Sequence, residues 1–180
     1  CLGRFIKHWA SQRRINNRSE GTLSTYTLIL QLFFFLQTRQ PPLLPRVTDI
    51  LVDSVTASQS SLGTAADSDE VASKAVNYLI SSDEMDEESG ELRALPFLTE
   101  ASTMKQDRFP ELGQNKESLG ELLLGFFQLW GREEFRGGEE GSGQTVYVYD
   151  ASREENDLGV VVMRCPLTGK NVNPFTTTVW

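Results

Sequence analysis

Lys7 and Ser11 stand four residues apart and Arg14 follows three later, so a helix through this stretch puts them on one face. One helix-turn-helix further on comes Leu23-Ser24-Thr25-Tyr26, at the start of a long apolar run. An ammonium group and hydroxyls can hold a triphosphate, and an aromatic ring at an exposed helix start can stack on a base. Such stacking contributes about 1–3 kcal/mol and tolerates any base, because every base has a π-face. A structural reading of the same residues competes with this one: Tyr26 packs in the core and Lys7 is merely solvated.

Other familiar chemistries find no support. His8 is the only histidine and reads as a surface or packing residue. Without it no Ser/His/Asp set can be assembled. Asp83, Asp86 and Glu87 lack the ligand spacing and turn glycine of a calcium loop, and read as a solvated acidic run. The glycines between Gly137 and Gly143 lack the Walker pattern and its strand-to-helix setting. Cys1 and Cys165 form neither a disulfide framework nor a CxxC metal pair, which points to a reducing compartment.

The elements that must position the candidate residues follow from the apolar spacing. Leu2, Phe5, Ile6 and Trp9 predict one face of a helix over 2–15, with basic residues opposite. Asn16–Gly21 is turn-rich, and a second helix opens with Thr22 or Ser24 as its cap. It is apolar nearly all round through Leu36, which makes it central. Its run Leu28–Leu36 is too short for a membrane span, which needs about 20 apolar residues. Leu119, Leu122, Leu123, Phe126, Phe127 and Trp130 predict a further helix from a Ser118 cap. Thr145–Tyr149 and Gly159–Arg164 read as two strands in a hairpin, Glu70–Ile80 as a short helix, and Phe175–Trp180 as the start of another.

The 180 residues are 39% hydrophobic, enough for a core, but residues 53–112 are dominated by Ser, Thr, Asp and Glu. The chain therefore divides into 1–52, an acidic and largely disordered insertion over 53–112, and 113–180. The net charge of −8 argues against nucleic-acid binding at face value. Its distribution does not, since the first 18 residues carry Arg4, Lys7, Arg13, Arg14 and Arg18 and no acid. Cys1 opens directly into an amphipathic pattern and Trp180 closes without a terminating signal, so the chain reads as a fragment.

Ile6–Gln37 resembles the segment of terminal uridylyltransferases and noncanonical poly(A) polymerases that runs lysine, Trp-Ala, Ile-Asn, then Gly-Thr-Leu-Ser-Ser-Tyr. Asn115–Glu134 resembles the Ser-Leu-Gly-Glu-Leu-Leu-x-Gly-Phe-Phe signature of their poly(A)-polymerase-associated domain, and Met163–Phe175 falls where that family has a Pro-Phe and Asn-Val loop. The long tract between helices and the wording of the last loop are similar to mitochondrial uridylyltransferases of trypanosomatids. The fold implied is mainly α with a small antiparallel β element, the helical central domain of a nucleotidyltransferase interrupted by the acidic insertion.

The resemblance implies roles residue by residue. Lys7 matches a lysine on the nucleotide's triphosphate, and Ser11 stands where the family has a second lysine. Thr25 replaces a nucleotide-bonding serine, and Tyr26 matches the tyrosine that stacks on uracil. Lys170 and Asn171 occupy the base-recognition loop, where the family carries acidic residues and, in some members, a histidine before Asn-Val. The family's Gly-Arg after Asn-Val is replaced by Asn173-Pro174.

The reaction implied is attack of an RNA 3′-hydroxyl on the α-phosphate of UTP, with Mg2+ or Mn2+ held by a carboxylate triad in a separate palm domain. No Gly-Ser followed by Asp-x-Asp occurs in this sequence, so no catalytic residue or metal ligand is assigned here and the isolated chain is expected to be inactive. The implied partners are an RNA 3′ end, a nucleoside triphosphate and the palm domain, with no membrane. The implied location is mitochondrial or cytoplasmic, mitochondrial on the trypanosomatid resemblance. A poly(A) polymerase adding AMP and an inactive RNA-binding scaffold of the same fold are the alternatives.

Overall fold

The computed structural model of the chain describes residues 1–50, 109–132, 135, 143–157, 160–166 and 171–172. Helix α1 spans Leu2–Gln12 and buries Leu2, Ile6 and Ala10, a line of positions four apart. Phe5, expected on the buried face, is 49% exposed. The helix also ends earlier than its apolar pattern suggests. Arg14 takes a φ of 58°, the amide of Ile15 donates to the carbonyl of Ala10 at 3.0 Å, and that of Arg14 donates to Ser11 at 3.0 Å. These are the two bonds of a Schellman motif, with arginine where glycine is usual.

Helix α2 spans Thr25–Gln37 and is capped by Ser24, whose hydroxyl accepts from the amide of Thr27 at 3.0 Å. It buries Leu28, Leu30, Leu32, Phe34 and Phe35, as expected of a central helix, while Phe33 faces outward. Added to Gly3, a Cβ would meet Leu32 Cδ2 at 3.5 Å and Ile29 Cδ1 at 3.6 Å, so the start of α1 lies against the middle of α2. Just past the other end of α1, Asn16 bonds Thr25 at the start of α2. The two helices therefore run antiparallel, with the last turn of α1 beside the first turn of α2.

Helix α3, Leu119–Trp130, starts with a full capping box. The Ser118 hydroxyl accepts from the Glu121 amide, and the Glu121 carboxylate accepts from the Ser118 amide at 2.7 Å. That backbone bond first, and the Ser118 hydroxyl second, hold the Glu121 carboxyl below its ordinary range. α3 reaches the core through rings. Phe126 meets Phe35 edge-on with centroids 5.9 Å apart, Trp130 lies 5.8 Å from Phe34, and Trp9 of α1 lies 4.7 Å from Phe127. Such pairs contribute about 0.5–1.5 kcal/mol each beyond the area they bury. Gly125 lets the helices close up, since a Cβ there would meet the Phe35 ring at 3.2 Å. Arg39, just beyond α2, forks onto both carboxylate oxygens of Glu117 and so ties the end of α2 to the entrance of α3.

The strands correct the sequence reading. Gly143–Tyr147 forms β1 and Val162–Arg164 forms β3, but they pair in parallel, not as a hairpin. The hairpin partner is β2, Ser152–Asn156, antiparallel to β1, and the sheet order is β2-β1-β3. The small antiparallel element expected is thus a mixed three-stranded sheet. The chain leaves β2, passes the start of β1 and returns on its far side. Gly143 sits under this crossing: a Cβ there would lie 2.3 Å from the carbonyl oxygen of Val160. Asn156 secures the passage by donating to Thr145 Oγ1 at 3.1 Å and to the Val160 carbonyl at 3.2 Å. Val146, Val148 and Met163 join the same core as the helices.

The expected helix Glu70–Ile80, the final stretch Phe175–Trp180 and all of the proposed insertion before Phe109 lie outside the described residues. No helix among the described residues is long and apolar enough to cross a membrane.

Candidate functional site

The candidate residues gather around the first turn of α2. Thr25 is its first residue, and its hydroxyl faces the side-chain amide of Asn16, with both amide heteroatoms at 3.2 Å. Asn16 is itself set by the Schellman turn that ends α1. The strained arginine there therefore helps to fix where the Thr25 hydroxyl points.

Tyr26 follows. It is 43% exposed, so it does not pack in the core as the structural reading required. Its ring stands at the helix start, and its phenolic oxygen lies 3.1 Å from the Cys165 thiol. Partial burial, and then the bond to Cys165, push the phenol well above its ordinary value, so it stays protonated through the neutral range.

Thr27 comes next and is fully buried. Its hydroxyl donates to the Val172 carbonyl at 3.2 Å and lies 2.9 Å from Ser24 Oγ. The Val172 amide donates to the Met163 carbonyl at 2.9 Å, and Asn171 forms a β-bridge with Arg164. The Asn171–Val172 pair is thereby held between the end of β3 and the first turn of α2. The structure brings Asn171 to the same helix end as Thr25 and Tyr26, across about 145 residues of sequence. Lys170 lies outside the described residues.

Lys7 and Ser11 are both exposed on α1. At about 1.5 Å of rise per residue, they lie roughly 6 and 12 Å beyond Gly3 in the direction of the α2 start. Arg4, His8 and Arg14 are exposed on the same helix or its cap, and no acidic residue precedes Glu20. This is a positive surface leading to a helix N-terminus, where the backbone dipole also favours an anion. Among the described residues, no group of three or more His, Cys, Asp or Glu is arranged to hold a metal ion. The Mg2+ or Mn2+ implied by the resemblance therefore has no carboxylate set to fit among them.

Sequence reasoning missed Asn16, Thr27 and Cys165. Thr27 left a faint signal, a hydroxyl in an otherwise apolar helix. Cys165 left none, because its partner is 139 residues away.

No protein-family profile matches the chain. Among curated proteins, it is 45% identical over 53 residues to rat (Rattus norvegicus) poly(A) RNA polymerase GLD2, a match covering 29% of this chain and 11% of that protein. It is 28% identical over 132 residues to mouse (Mus musculus) terminal uridylyltransferase 4, covering 73% of this chain and 6% of the relative. It is also 45% identical over 51 residues to poly(A) RNA polymerase cid11 of Schizosaccharomyces pombe, covering 28% and 11%. The matches thus span about a tenth or less of these relatives' lengths. Both kinds of relative support the nucleotidyltransferase family.

Proposed function

We propose that this chain is the nucleotide- and base-binding portion of a template-independent RNA 3′-terminal nucleotidyltransferase that adds UMP from UTP. The observation that carries the reading is the meeting of Thr25, Tyr26 and Asn171 at the start of α2, beside the exposed Lys7 and Ser11 of α1. The Tyr26 ring stacks on the base and, as a neutral phenol, adds no charge near the phosphates. The Lys7 ammonium neutralises phosphate oxygens, with Ser11 offering a hydroxyl in the next turn. Thr25 presents its hydroxyl to the nucleotide from a position that Asn16 fixes. Asn171, with Lys170 before it, reads the base edge.

The reaction is attack of an RNA 3′-hydroxyl on the α-phosphorus with release of pyrophosphate. Magnesium or manganese neutralises developing charge in such transfers, and this chain's own part is to bind, orient and select the nucleotide. The carboxylates for the metal belong to a palm domain of the same polypeptide, and the isolated chain does not extend RNA.

Transfer of AMP from ATP is the second reading, favoured by the 45% identity to poly(A) RNA polymerases over the shorter matches. Primer extension decides between them. The natural full-length protein is offered an RNA oligonucleotide, magnesium and each of the four nucleoside triphosphates in turn. Extension with UTP alone supports the uridylyltransferase, and extension with ATP moves the assignment to poly(A) polymerase. A folded protein that extends with neither overturns both.

A further inference from the structure

Two side-chain hydrogen bonds join consecutive residues of α2 to the segment after β3: Tyr26 OH to Cys165 Sγ at 3.1 Å, and Thr27 Oγ1 to the Val172 carbonyl at 3.2 Å. Both cross more than a hundred residues of sequence, and both end next to a group with a proposed role: one begins at the stacking ring, the other beside Asn171. The Cys165 and Thr27 side chains are buried, at 5% and 0% exposure, whereas the Tyr26 ring they flank is not. Tyr26 therefore has an open ring and an anchored hydroxyl. A ring held only at Cβ swings about χ1 and χ2; one also held at its far end keeps a single plane. Thr27, one residue on, fixes the height of the Asn171–Val172 pair against that plane.

We propose that Cys165 and Thr27 are positioning residues for base selection, a clasp that holds the stacking ring of Tyr26 and the base-edge residue Asn171 in one fixed relation. The inference rests on the nucleotide-binding reading given above. Neither residue touches the nucleotide. Each acts through a neighbour, and both sharpen the discrimination between a pyrimidine and a purine by denying the pocket the freedom to adapt.

The test uses the natural full-length protein, with UTP and ATP as probes and RNA primer extension as the readout. Tyr26→Phe keeps the ring and removes the hydroxyl, Cys165→Ala removes the thiol, and Thr27→Val keeps the shape of the buried side chain and removes its donor. Each is expected to raise KM for the preferred nucleotide about 3- to 10-fold, the loss of one modest hydrogen bond. Each is also expected to narrow the UTP-to-ATP ratio of kcat/KM, with kcat changed less than 2-fold. The double variant of Tyr26→Phe and Cys165→Ala is expected to be no worse than the stronger single, because both remove the same bond. Cys165→Ser, which retains a hydrogen-bonding group, restores most of the loss; a cysteine that only fills space gives no such rescue.

Tyr26→Ala separates the two levels of the argument. If it weakens nucleotide binding while Tyr26→Phe, Cys165→Ala and Thr27→Val leave KM and the ratio unchanged, the clasp is overturned and the stacking reading stands. If Tyr26→Ala is also without effect, the stacking reading falls and the clasp with it.

Discussion

At the scale of single residues, three tyrosines share one property and its leading cause, with different neighbours adding to it. Burial raises the phenols of Tyr147 and Tyr149 to about 12, helped by the Glu154 carboxylate that accepts from Tyr147 and by the charge of Asp150 beside Tyr149. Tyr26 is raised further, by burial first and by Cys165 second. A folded-state value above the unfolded one means that folding favours the protonated phenol. The stability this contributes is complete below about pH 10, the ordinary tyrosine value, and is lost as pH rises through the folded values. Alkaline titration is therefore expected to show loss of helical circular dichroism between about pH 10 and 12, with phenolate absorbance rising in step with it. Phenolates forming at the ordinary value in a protein still fully helical would contradict the bonding described for these rings. The place of Tyr26 at an exposed helix start was legible in the sequence, where an aromatic residue stands at the opening of an apolar helix. Its restraint by Cys165 was not, because no local pattern records a contact formed by the return of a distant strand.

At the scale of elements, the parts that read correctly are those specified by their own neighbours. Ser118 and Glu121 announce a capping box, and Ser24 precedes the longest apolar run. The part that misread is β2. Its sequence, Ser152-Arg153-Glu154-Glu155-Asn156, has almost no apolar alternation because it is the exposed edge of the sheet, and it resembles a charged loop. Those charges suit an edge strand, since they discourage pairing with another chain. The early end of α1 escaped for a similar reason: nothing about Arg14 advertises a left-handed residue. A side chain in that region costs about 1–2 kcal/mol, and glycine recovers part of this at the expense of a freer unfolded chain. Arg14→Gly is expected to stabilise the protein by about 0.5–1 kcal/mol, seen as a higher urea midpoint at constant slope. A lower midpoint would mean that the Arg14 side chain contributes more to the fold than its backbone strain costs.

At the scale of the whole molecule, a net charge of −8 coexists with a first helix whose exposed charges are all basic. Affinity for an anion is set by the charges it meets, not by the sum over the chain, so nucleotide binding is expected to weaken with added salt. Lys7→Ala is expected to weaken UTP binding and to flatten the slope of log affinity against log salt, measured by equilibrium titration at several ionic strengths. An unchanged slope would place Lys7 away from the phosphates. The bond between Tyr26 and Cys165 has one more consequence, in the order of synthesis. The two partners are 139 residues apart, so at about 5–20 residues per second the ribosome adds Tyr26 roughly 7–30 s before it delivers the thiol. For most of that interval the apolar flanks of α2 lack the third helix and the sheet that cover them in the fold. The clasp is complete only once Cys165 and Val172 have been made, and a product truncated before Cys165 has the helix that carries Tyr26 but not the residue that orients it.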